Sequence, residues 1–190
     1  IIMDGVNKYA HYDKIWEELS EKLPWHLTPE DKAKRDKIWG SFDVNGNGII
    51  SLAEVDKGMR DVVRLPILFN LKPVLMRAFT AAKIKVKSKH AYGDDYVSRP
   101  EFRFLLKFLR QYYEYWVAFD RIDTNDDRRV SLAEFKQAKP ELEKWGIDMS
   151  NPEKLFREAD RDGGGMILFI EFCDWAIKKS LDLEDDDDAI

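Results

Sequence analysis

A twelve-residue pattern recurs along this 190-residue chain, and its spacing constrains the fold more than any other feature. In the first copy Asp43, Asn45, Asn47, Ser51 and Glu54 stand at positions 1, 3, 5, 9 and 12, with Gly48 at position 6 and Ile49 at position 7. Six to eight oxygens drawn from one short loop are what a hard cation such as Ca2+ requires, with Mg2+ as a smaller competitor. Position 7 offers its backbone carbonyl, so the apolar side chain of Ile49 is no obstacle. Glu54 offers both carboxylate oxygens and opens the exit helix, while the sharp turn at position 6 calls for glycine. Such a loop must sit between two helices. Upstream, Thr28-Pro29-Glu30-Asp31 reads as a helix start, with Thr28 as cap and Pro29 in the first turn.

The frame returns at Asp123, Asn125, Asp127, Arg129, Ser131 and Glu134, with Arg128 in place of the glycine. A side chain there carries a left-handed penalty of about 1–2 kcal/mol. It returns again at Asp160, Asp162, Met166 and Glu171, with Gly165 at position 6. Gly164 and Leu168 give no side-chain ligand at positions 5 and 9, so water is expected there. Gly163, Gly164 and Gly165 do not form a phosphate loop, because no lysine followed by serine or threonine comes after them. Counting back from Glu101 yields a degenerate copy, with His90, Tyr92, Asp94 and Asp95 at positions 1, 3, 5 and 6. It keeps the final glutamate and loses the first carboxylate and the glycine, so it is expected to keep the fold without the ion. The lysines at 83, 85, 87 and 89 are read as repelling any cation there.

Position 8 is β-branched in all four copies: Ile50, Val97, Val130 and Ile167. Such residues suit a short antiparallel bridge between paired loops. Aromatic residues precede the intact loops by four positions (Trp39, Phe119, Phe156), and Val55, Phe102, Phe135 and Phe172 follow the terminal acids. These are core positions. The expected class is therefore all-α, an EF-hand fold of four helix–loop–helix hands in two pairs. Residues 1–27 form an N-terminal helical extension, with Ile15, Trp16, Leu19 and Leu23 at helical spacing from Tyr9 to Leu23. Residues 28–110 form the first pair, 111–181 the second and 182–190 an acidic tail. Tyr112, Tyr113, Tyr115 and Trp116 are too many aromatics for a solvated linker, which leads us to expect compact packing of the two pairs.

Charge and cysteine content narrow the function. Six of the 36 acids lie in the last nine residues, so the rest balances 31 bases against 30 acids. Basic runs such as Lys32, Lys34, Arg35 and Lys37 are solvated faces first and a contact for an anionic membrane surface second. They carry no interleaved aromatics, which argues against nucleic acid. A single cysteine, Cys173, excludes an intrachain disulfide and fits a reducing, intracellular compartment. No secretory signal or bilayer-length apolar run is visible. His11, His26 and His90 have no nucleophile–base motif beside them, so an enzyme is not expected.

The stretch from Glu101 through Phe135, with Glu141-Leu142-Glu143-Lys144-Trp145-Gly146 and Phe172-Cys173-Asp174-Trp175-Ala176, resembles the calflagins, flagellar calcium-binding proteins of kinetoplastids. The resemblance covers mainly the C-terminal half and the acidic tail. It implies a cytoplasmic calcium sensor at the inner face of the flagellar membrane, acting on a protein target. It also implies that the C-terminal pair carries most calcium binding, whereas the residues give the first loop the most regular geometry. Two other classes stay open: a sarcoplasmic-type calcium buffer, whose lobes also pack tightly, and a chromophore-binding photoprotein. The photoprotein class uses histidines in both halves, and here none follows His90. Five methionines are too few for two adaptable calmodulin-like grooves.

Overall fold

The computed structural model describes residues 8–65, 71–85 and 95–181. Helix α1 (Lys8–Lys22) is followed by α2 (Pro29–Phe42), β1 (Ile49–Ser51), α3 (Leu52–Gly58) and a π-helical turn, Met59–Val63. Then come α4 (Lys72–Lys85), β2 (Tyr96–Ser98), α5 (Arg99–Ile122), β3 (Arg129–Ser131) and α6 (Leu132–Gln137). Helices α7 (Lys139–Lys144) and α8 (Pro152–Ala159), strand β4 (Met166–Leu168) and α9 (Phe169–Lys179) complete the order. The chain forms two compact units, Ile1–Tyr112 and Tyr113–Ile190. None of the described helices is long and apolar enough to cross a membrane.

Local chemistry accounts for the helix ends. Thr28 caps α2 by accepting the Asp31 amide at 3.2 Å, with Pro29 in the first turn and Glu30 and Asp31 facing the positive end of the helix dipole. Ser51 and Ser131 cap α3 and α6 in reciprocal capping boxes with Glu54 and Glu134. Asn151 caps α8 ahead of Pro152. The π-helical turn has no counterpart in the sequence reading. It begins after Gly58, where a Cβ would lie 2.4 Å from the Phe42 ring, and it ends at left-handed Arg64.

Two two-stranded ladders join the hands. In the first unit β1 pairs antiparallel with β2, with Ile50 opposite Val97. In the second β3 pairs with β4, with Val130 opposite Ile167. All four residues are buried, as the position-8 pattern requires. Trp39 and Phe42 meet Phe102 edge-on at 5.3 and 5.5 Å in the first unit. In the second, Phe135 meets Phe156 at 5.8 Å and Trp175 at 5.7 Å, and Phe119 meets Phe172 at 5.7 Å. Cys173 is buried among these elements.

Helix α1 docks on the first unit through buried Ile15 and Leu19, with Leu23 buried just beyond its end. Arg110 lies over the Trp16 ring at 5.1 Å and donates to Ser20 at 3.0 Å. Arg103 donates to the Trp25 carbonyl at 2.7 Å, and Lys107 lies over the Trp25 ring at 4.7 Å. The extension is thus fastened by three cations of α5.

Candidate metal centres

The twelve-residue loops fold by hydrogen-bonding their own carboxylates and amides, and the bonds repeat from hand to hand. In loop one Asp43 accepts the Asn47 and Gly48 amides at 3.0 Å each. Asn45 accepts the Asn47 amide at 2.9 Å, and Asn47 accepts the Ile49 amide at 3.0 Å. Glu54 accepts the amide and hydroxyl of Ser51 at 2.9 Å each, and its other oxygen takes the Asn45 side-chain amide at 3.3 Å. Every side chain expected to ligate in this loop is tied to the same turn.

Loop three repeats the scheme with a non-glycine backbone. Asp123 accepts the Asp127 and Arg128 amides at 3.3 and 2.8 Å, Asn125 the Asp127 amide at 2.9 Å, and Asp127 the Arg129 amide at 2.9 Å. Glu134 takes Ser131 at 2.9 and 2.8 Å through one oxygen. Its other oxygen accepts the Thr124 amide and hydroxyl and the Asn125 amide at 3.1–3.3 Å. Burial pushes the Glu134 carboxyl up, but the Ser131, Thr124 and Asn125 donors outweigh it and hold the carboxyl below its usual range. Asp123 goes the other way. Burial raises it, and the nearby Asp127 and Glu134 carboxylates raise it further against the amides it accepts. Burial is the main cause and neighbouring carboxylates add to it, and a divalent cation at the loop would offset both.

In loop four Asp160 accepts the Gly165 amide at 2.9 Å and Asp162 the Gly164 amide at 2.7 Å. Glu171 accepts Leu168, Arg161 and Asp162 amides at 2.9–3.1 Å. The oxygens of Asp160, Asp162 and Glu171 come within 4.8 Å of one another. One oxygen of Asp160 is buried with no hydrogen-bond partner, which is costly unless a cation takes it. The donor set, hard oxygens with a buried one to spare, fits Ca2+. Ile49, Arg129 and Met166, expected to ligate through their carbonyls, are each the first residue of a strand: β1, β3 and β4.

Backbone at positions 4 and 6 is left-handed in all three loops. Gly46 and Gly48 take φ of 67° and 81°, Asp126 and Arg128 take 58° and 64°, and Gly163 and Gly165 take 70° and 80°. Position 6 is legible from the loop pattern; position 4 is signalled only by glycine at Gly46 and Gly163. The Thr124 hydroxyl lies outside the loop pattern.

Of the degenerate loop, His90, Tyr92 and Asp94, with Lys87 and Lys89, lie outside the described residues; Asp95 is an exposed turn residue. Its end is well defined. Glu101 is 1% exposed, more buried than Glu134 at 6% or Glu171 at 8%. It accepts the Ser98 amide at 2.6 Å and hydroxyl at 2.7 Å. Its second oxygen makes an ion pair with the Lys83 ammonium at 3.3 Å, a charge contact without a well-aimed hydrogen bond. Lys83 therefore does not act as a mere source of repulsion; it neutralises the terminal glutamate.

A flagellar calcium-binding protein of Trypanosoma cruzi is 33% identical to this chain over 177 residues, covering 92% of this chain and 84% of that protein. The chain belongs to the flagellar calcium-binding protein family. The family's FCaBP EF-hand domain model matches residues 19–109. Flagellar calcium-binding protein TB-24 of Trypanosoma brucei brucei is also 33% identical, over 92% of this chain and 81% of its own length. Similarity to the family thus runs through both units and is not concentrated in the C-terminal half. Calcium-binding protein 4 of Mus musculus is a more distant relative, 26% identical over 77% of this chain and 53% of that protein. Family membership and the loop chemistry agree: this is a calcium-binding EF-hand protein.

Proposed function

We propose that the chain is a calcium sensor of the flagellum, changing the conformation of its C-terminal pair to engage a protein target. The flagellar setting comes from the named trypanosome relatives. One observation carries the sensor reading. Glu134 and Glu171 each lie one residue before an aromatic, Phe135 and Phe172, and both aromatics contact Trp175. A shift of either terminal glutamate on binding calcium is transmitted directly to one shared cluster, as sensor hands require. Ile170 and Ile177, seven residues apart on α9, are already exposed and would extend any apolar surface that opens. The ligand set is Asp43, Asn45, Asn47, Ile49, Ser51 and Glu54; Asp123, Asn125, Asp127, Arg129, Ser131 and Glu134; and Asp160, Asp162, Met166 and Glu171.

The test is hydrophobic-dye binding across a calcium titration in constant millimolar magnesium, with tryptophan emission followed in variants retaining only Trp175 or only Trp39. A sensor shows rising dye binding and a larger change at Trp175. Unchanged dye binding at saturating calcium supports the buffer reading instead.

A further inference from the structure

The buried pair between Lys83 and Glu101 has a direct route to loop one. Lys83 lies on α4, the entering helix of hand two, and its side chain is only 12% exposed. A carboxylate as buried as Glu101 needs a counter-charge, and in an intact hand the bound ion is that charge. Here a tethered ammonium stands in its place, present at every calcium concentration. Burial pushes the Glu101 carboxyl up, yet the Ser98 donors and the Lys83 charge overcome this and hold it below its usual range. Glu101 in turn holds Ser98 by amide and hydroxyl. Ser98 stands opposite Ile49, the residue that presents the carbonyl of loop one; the Ser98 amide goes to Glu101 and the Ile49 amide to Asn47, so the two strands are tied at the adjacent pair Ile50–Val97.

We propose that Lys83 is a positioning residue for calcium at hand one: it is the resident cation of hand two, and through Glu101 and Ser98 it fixes β2, the strand whose Val97 pairs with Ile50 beside the loop-one carbonyl. The silent hand is then a preset brace for its neighbour. An ion entering loop one meets a carbonyl already fixed by the ladder, so less ordering accompanies binding. The inference rests on loop one being a calcium site.

The experiment isolates that site in the full chain with Glu134→Gln and Glu171→Gln, and titrates calcium by calorimetry in constant magnesium. The parent should bind one ion. Adding Lys83→Met should weaken it on the order of tenfold, the scale of losing a group that supports a ligand. Lys83→Arg, which keeps the charge, should retain most of the affinity. Leu75→Ala, a buried change on the same helix, should lower the thermal midpoint and leave affinity unmoved. Lys83→Met combined with Glu101→Gln leaves no unpaired charge behind, so it should fold and still bind about tenfold more weakly. Full affinity in that double variant, equal losses for Met and Arg at 83, or an equal loss in Leu75→Ala would each overturn the proposal. A parent that binds no ion removes hand one as a site and the brace with it.

Discussion

Hands two and three end alike and differ in what neutralises them. Glu101 and Glu134 are both buried, and both accept the amide and hydroxyl of the serine three residues before them. The remaining oxygen of Glu134 takes loop amides and the Thr124 hydroxyl, whereas that of Glu101 takes Lys83. The final glutamate therefore has two separable jobs, starting the exit helix and meeting a cation. A hand that loses its ion keeps the first job intact and finds another cation for the second. This explains why the degenerate hand still pairs Val97 with Ile50.

If the core is shared by live and silent hands alike, the largest effect should be the same in both. Phe102→Ala and Phe135→Ala each empty a fully enclosed aromatic site, and each should cost about 3–5 kcal/mol in calcium-free denaturant unfolding. A small loss at Phe102 alone would show that the silent hand is loosely packed and end the comparison.

Next in size is the effect on the ion. Glu134→Gln and Glu171→Gln should each weaken one calcium site by at least about 100-fold, the upper end of what even supporting groups cost. Glu101→Gln should leave calorimetric stoichiometry unchanged, since Lys83 already holds that carboxylate. Stoichiometry falling in Glu101→Gln would make hand two a metal site after all.

The helix-starting job is tested by the serines. Ser131→Ala should lower calcium-free stability by about 1 kcal/mol, the usual value of a lost cap, and Ser98→Ala by about the same through the lost hydroxyl bond to Glu101. A loss at Ser131 only would mean that the serine of the silent hand no longer supports the start of its helix.

Sequence made the repeat legible because each loop ligand is local: spacing within twelve residues determines which side chains share a turn. The ladder register followed from the same frame, since position 8 is β-branched in every copy. The pairing of Lys83 with Glu101 was not legible, for an equally physical reason. Lys83 stands eighteen positions before Glu101 on a different helix, and only the packing of α4 beside β2 turns a basic run into a counter-charge. The close approach of the Phe42 ring to Gly58, where the π-helical turn begins, joins two helices and lies in no local window. Position 4 was legible at Gly46 and Gly163 but hidden at Asp126, where a residue tolerant of left-handed backbone does the same work.

The smallest expected effect concerns the one loop that lacks glycine at position 6. Arg128 holds φ at 64° because its amide must reach Asp123, 2.8 Å away. A left-handed side chain costs about 1–2 kcal/mol, while glycine loses about 0.5–1 kcal/mol more in unfolded-chain entropy, so Arg128→Gly should stabilise the second unit by roughly 0–1.5 kcal/mol. The substitution also removes a positive charge from a loop that already holds Asp123, Asp127 and Glu134. Arg128 is exposed, so its repulsion of an incoming cation is screened, and calcium affinity should rise only a few-fold, more at low ionic strength than at high. Comparing titrations of Arg128→Gly and Arg128→Gln separates the two causes. Gln removes the charge and keeps the strain, so it should share the salt-dependent gain in affinity without the gain in stability. Arg128→Gly falling below Arg128→Gln in stability by about 0.5–1 kcal/mol, the bare entropy cost of glycine, would mean that the left-handed turn is unstrained and that Arg128 weakens the third hand by charge alone.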